Sequence, residues 1–122
     1  MTSERGSVSI VFAAGVLLVL VLTMGVADVG RVLLARSRAR TAADAAALAA
    51  ADELALPVGL DPATLAAEYA ARNGATLTAC SCDVGTFEAD VTVTVHVADL
   101  LLFPGAHDAV ARARAVVDLP SG

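Results

Sequence analysis

The sequence predicts an α+β chain. A long N-terminal helix has a transmembrane half and a projecting half, and a short helix and a small antiparallel sheet follow. Three observations predict this class. The run from Ser7 to Ala27 carries no charged residue. No proline interrupts the chain before Pro57. Residues 87–97 alternate apolar and polar side chains without a break, the period of a strand with one wet face.

The elements follow in order. Residues 1–6 form a short polar leader. Residues 7–28 are read as a transmembrane helix, with Val8, Ile10, Val11, Phe12 and the stretch Val16 to Leu22 supplying most of its bulk. As a helix, the uncharged run is roughly 31 Å long, which matches the hydrocarbon thickness of a bilayer. Its large apolar residues contribute on the order of −4 to −7 kcal/mol of insertion free energy before the Ser, Thr and Gly terms are subtracted. Residues 29–55 continue the helix through Arg36, Arg38, Arg40 and the alanine-dense segment Thr41 to Ala51. Ala and Arg are strong helix formers, so a single helix is expected from about residue 8 to about residue 54, on the order of 70 Å long. The alanines suit either close helix packing or simple helix formation.

Pro57-Val58-Gly59 breaks that helix. Residues 61–118 are read as a small α+β head. Asp61 is the expected N-cap of a short helix with Pro62 at its first position, Ala66 and Leu65 lie near Tyr69 on one face, and Asn73-Gly74 stops it. Residues 75–83 are a first strand. Phe87, Ala89, Val91, Val93, Val95 and Val97 form the dry face of a second. Residues 99–108 are a loop containing Leu100 to Phe103, and residues 109–117 are read as a third strand, although propensity alone favours a helix there nearly as much.

The formal net charge of −5 conceals an asymmetry. Residues 1–40 carry five arginines against Glu4 and Asp28, whereas residues 41–122 carry Arg72, Arg112 and Arg114 against eleven acids. An acidic distal region argues against nucleic-acid binding. No nucleophile elbow, zincin helix, phosphate loop or dinucleotide fingerprint is present, so no enzyme activity, cofactor or metal is expected. Cys80 and Cys82 would point to the same side of an extended strand, where a mutual bridge is geometrically poor. They are read as free thiols or as a disulfide, either with each other in a bent segment or with another subunit. With His96 and His107 they make a Cys₂His₂ set, but at a spacing that matches no common zinc finger. Glu88 and Asp90 share a strand face with His96 and are read as solvated. Asp28 and Arg31 have the spacing of an i,i+3 ion pair at the membrane edge.

Arg5-Gly6-Ser7 before an apolar helix, then Arg36-Ser37-Arg38-Ala39-Arg40-Thr41-Ala42-Ala43-Asp44-Ala45-Ala46-Ala47-Leu48-Ala49, then Ala71-Arg72-Asn73-Gly74-Ala75, Cys80, the valine-rich strand and a final Ala-Arg-Ala-Arg segment form a recognisable order of parts. This order resembles the actinobacterial TadE-like proteins of the tight-adherence (Flp) pilus and secretion group, over nearly the whole chain. The resemblance implies a membrane-anchored structural component of pilus assembly. Its partners would be the membrane, other pilin or pseudopilin subunits, an assembly platform with its ATPase, and a leader peptidase that cuts between Gly6 and Ser7. The N-terminus would be cytoplasmic and the head extracytoplasmic. Pilins usually carry Glu at the fifth mature position, and Val11 stands there. That departure argues against the repeating shaft subunit and fits a minor pseudopilin.

Two features of the sequence pull elsewhere. Gly25-Val26-Ala27 before Asp28 has the small residues a signal peptidase needs, which would yield a small Sec-secreted protein. Four arginines, Arg31, Arg36, Arg38 and Arg40, follow the apolar run and only Arg5 precedes it. By the positive-inside rule this favours a cytoplasmic C-terminal side. The alternative function class is a single-pass membrane-tethered binding or sensing domain.

Overall fold

A computed structural model describes residues 2–97 and 99–121; Met1, the first residue of the leader, lies outside the described residues. The chain forms α1 (Thr2–Ala55), α2 (Pro62–Arg72), β1 (Thr76–Ser81), β2 (Glu88–Val97) and β3 (His107–Val116). The strands make an antiparallel meander in the order β1-β2-β3. The α+β class read from the sequence is the one observed.

α1 begins at Thr2 rather than near residue 8, so the leader is part of the helix. Once a helix is nucleated, each added residue gains a hydrogen bond, and Gly6 alone costs only about 1 kcal/mol relative to Ala. The apolar half of α1 stands clear of the rest of the protein, with residues 5–22 exposed. The second half does not project freely. Ala35, Ala39, Ala42, Ala43, Ala46, Ala47, Ala50 and Ala51 are buried, spaced three and four apart along one face. Val91, Val93, Val95 and Val97 of β2 are buried with them in the same core. A methyl side chain lets the helix axis sit close to a valine-covered sheet. The alanine face is therefore consumed within the chain, by its own sheet and α2, instead of by a neighbouring helix.

α2 packs beside α1 through Pro62, Ala66 and Ala70, which are buried. Leu65 is half-buried and Tyr69 sits at the rim, with the Arg72 guanidinium 5.1 Å from its ring centre. The expected caps are present. Asp61 accepts hydrogen bonds from the Thr64 amide at 3.0 Å and the Thr64 hydroxyl at 2.7 Å. Asn73 is the C-cap, and Gly74 takes the left-handed backbone (φ 75°) that returns the chain to the sheet. Asp61→Ala is expected to cost about 1 kcal/mol. In hydrogen-exchange measurements on the full chain, the amides of α2 should lose protection before those of β2.

One residue inserted in β1 sets the faces of the sheet. Leu77 pairs with Val93 and Ala79 with Thr92, so Thr78 is an extra residue and the register shifts there. The bulge places Leu77 and Cys80, three apart in sequence, toward the same core. The Thr78 hydroxyl donates to the Thr92 carbonyl at 3.1 Å and helps hold the distortion. On the outer face, Arg112 meets Asp90 at 3.2 Å and Arg114 meets Glu88. Glu88 hydrogen-bonds the Arg114 guanidinium and raises its pKa further. Exposed pairs of this kind add little stability, but they order the cross-strand register.

Candidate functional site

The region able to meet a membrane is the first half of α1. From Arg5 onward this helix is long and apolar enough to cross a bilayer, and none of its most apolar stretch is covered by the protein. Gly6 and Ser7 lie on the exposed helix surface, and a Cβ built on Gly6 would meet nothing within 4 Å. A peptidase that takes its substrate extended would have to unwind one turn here, and Gly6 is the weakest helix former in that turn. Val11 is exposed and lines a shallow apolar wall with Phe12, Gly15, Val16, Val19 and Leu20. No charge falls on that wall.

The apolar surface ends at a junction built around Asp28. Its side chain is buried, with the residue only 3% exposed. The two carboxylate oxygens accept the backbone N–H groups of Leu101 and Leu102, each at 2.7 Å. Arg31 stands 4.0 Å from the same carboxylate and donates to the Asp99 carbonyl. Asp99 adopts the left-handed backbone (φ 58°) as the chain leaves β2, a conformation Asp tolerates better than most residues. Downstream, Nε2 of His107 lies 3.0 Å from the Phe103 carbonyl and closes the loop onto the start of β3. Leu102 reaches the helix at Gly25, where an added Cβ would lie 3.6 Å from its Cδ1. The ion pair with Arg31 expected from the spacing is thus the minor part. The larger role of Asp28 is to strap the β2–β3 loop to α1.

A second buried carboxylate closes the opposite end of the head. Glu53 is 6% exposed. Its Oε1 accepts from the amides of Val58 and Gly59 at 3.0 Å and of Leu60 at 2.9 Å. Gly59 has φ 94°, which turns successive N–H groups toward one point. Three amides that α1 and α2 cannot satisfy are therefore met by one side chain. Sequence reasoning left Glu53 without a role. The available signal was a Glu four residues before Pro-Val-Gly at the end of an alanine helix.

Cys80 and Cys82 are joined as a disulfide, with Cα atoms 5.5 Å apart. Cys80 lies at the end of β1 and Cys82 just beyond it, where the chain leaves the strand. The bridge spans the end of β1, with Cys80 still paired in the strand and Cys82 just past its last residue. His96 faces Asp108 at 3.1 Å across the β2–β3 pair, and His107 turns to the loop, so neither joins the cysteines. Among the described residues, no cluster of His, Cys, Asp and Glu has the arrangement to hold a metal. Arg36, Arg38 and Arg40 are exposed on α1, and Arg40 pairs with Asp44 at 3.6 Å.

Residues 6–53 match the model of a family described as putative Flp pilus-assembly TadE/G-like. Over this stretch the chain is similar to that family. No curated protein and no solved structure matches it. The matched segment begins at Gly6, runs the length of the exposed apolar helix and ends at Glu53, the residue that caps the turn into α2. It contains one of the two surfaces at the helix–sheet interface, the alanine face, and Asp28. The sheet that covers those alanines and the loop that Asp28 holds lie outside the matched segment. The family description names pilus assembly.

Proposed function

We propose that this chain is a minor pseudopilin of a Flp-type pilus or a related secretion assembly. Its apolar half would be held in the membrane and its head exposed outside the cytoplasm. The observation that carries the reading is the family match over residues 6–53, coincident with an uncovered apolar helix that continues unbroken into a packed head. The bare half of α1 is a surface with no partner in the chain. In lipid it meets acyl chains, and in an assembled fibre it would meet the equivalent helices of other subunits. Val11 supports a minor role, because no carboxylate is available there to pair with a neighbour's amino terminus. The Cys80–Cys82 bridge supports an external head, since thiols in the cytosol are kept reduced.

Processing would remove residues 1–6 at the Gly6–Ser7 bond and leave the span in place. Intact-mass measurement of the native protein tests this directly. An N-terminus at Ser7 is the expected result. An N-terminus at Asp28 would mean that the apolar helix was only an export signal, and an intact Met1 would leave a plain membrane tether. Whole cells treated with an impermeant reductant and then an impermeant thiol reagent should label Cys80 and Cys82. Labelling only after lysis would place the head in the cytosol, as the arginine distribution favours.

A further inference from the structure

The Asp99–Ala106 loop is unusual for a surface connection. Its tip carries Leu101, Leu102 and Phe103, and Phe103 is 65% exposed. On a water-facing head such a tip is a liability. Its position changes that reading. Leu102 rests on Gly25, a residue inside the uncharged run, so the loop lies alongside the helix where its apolar surface ends. Val26, Val29 and Leu33 are exposed apolar residues on the same part of α1. Leu100 and Phe103 lie beside Val29 and Leu33 in one shallow hollow that Arg36 borders. The apolar surface of the span thus continues onto the loop through Gly25 and Leu102, with the Asp28 carboxylate buried beneath the contact.

We propose that this loop is a second membrane contact, dipping its Leu101–Phe103 tip into the lipid interface. The proposal rests on reading the first half of α1 as a bilayer span. Backbone N–H groups without partners are costly near lipid, and so is a carboxylate at the edge of a span. The Asp28 strap answers both at once, because its oxygens take the N–H groups of Leu101 and Leu102 and its charge is shielded by them and by Arg31. Arg31 and Arg36 sit at the level where long basic side chains reach lipid phosphates. The bilayer is favoured over a protein partner because the patch is continuous with a surface that already faces lipid.

The chain contains no Trp, so a single substitution supplies a unique fluorophore. The full-length variants Phe103→Trp, Val16→Trp and Val84→Trp would be reconstituted at low density in phosphatidylcholine/phosphatidylglycerol vesicles. Quenching would be measured with lipids brominated near either end of the acyl chain. Val84 is exposed in the β1–β2 turn, at the opposite end of β2 from the loop and about 30 Å away. Phe103→Trp should emit to the blue of Val84→Trp and be quenched most by bromines near the headgroup. Val16→Trp should be quenched most by the deep bromines. Adding Asp28→Asn to Phe103→Trp should reduce the shallow quenching while the Val16→Trp signal is unchanged in the same background. If Phe103→Trp behaves like Val84→Trp while Val16→Trp is quenched, the loop stands in water and the proposal fails alone. If Val16→Trp is not quenched, the spanning helix fails and takes the proposal with it.

Discussion

Replacing Ala46 by Leu is expected to unseat the sheet from α1 while leaving the apolar half intact. Ala46 is fully buried in the core shared with the β2 valines. A Leu side chain there has no space to enter without moving the helix away from the sheet. Overpacking of this kind costs about 3 kcal/mol. The head is small and its core is alanine and valine apart from Leu54, so few side chains can yield by changing rotamer. Hydrogen exchange of the β2 amides in detergent-solubilised full chain should accelerate by about a hundredfold, the factor that this energy implies. Leu48→Ala, an exposed position on the same helix, should change exchange by less than a factor of about three. Equal effects from the two substitutions would mean that the alanine face is not the packing surface described.

Glu53→Ala is expected to be the second most damaging change. The Val58, Gly59 and Leu60 amides would lose their shared acceptor. Hydrogen bonds to a charged group are worth more than neutral ones, and a part-buried amide left without a partner incurs a desolvation penalty. The expected loss is about 2–3 kcal/mol, with Glu53→Gln losing about half as much because its carbonyl oxygen still accepts. The readout is amide exchange at residues 58–60 and across α2, whose position beside α1 depends on this turn. Unchanged protection at those amides in Glu53→Ala would show that the turn holds its shape without the carboxylate.

The legible parts of this fold were those governed by local rules. The α2 boundaries followed from Asp61, Pro62 and Asn73-Gly74 because capping chemistry acts within four residues. β2 followed from its alternation, and β3 from a weaker alternation of its own over residues 109–117. The long helix was visible because nothing before Pro57 could break it. Its early start at Thr2 was missed because a polar leader looks unlike a helix when judged by its residues alone.

The two carboxylates that organise the candidate site were hidden for one reason. Asp28 meets partners more than seventy positions away in the chain, and sequence spacing could offer only Arg31, three residues on. Glu53 binds backbone amides, which carry no residue signature. The alanine tract was ambiguous for a related cause. Its small side chains advertise close packing but not the partner, and the partner is the strand that begins at Glu88. The Cys80–Cys82 bridge stayed one of several readings because residue spacing does not say where the strand ends, and it ends at Ser81, between the two cysteines.

α1 joins the lipid-facing part of the molecule to its head without a joint. It is fixed to the sheet along the alanine face and pinned again at Asp28, the second attachment standing where the apolar stretch ends. A rod clamped twice resists both bending and twisting. A pull or quarter-turn applied to the apolar end would therefore reach the sheet through continuous helix and two attachments, as through a braced drive shaft. Orienting the head becomes the same act as orienting the stalk.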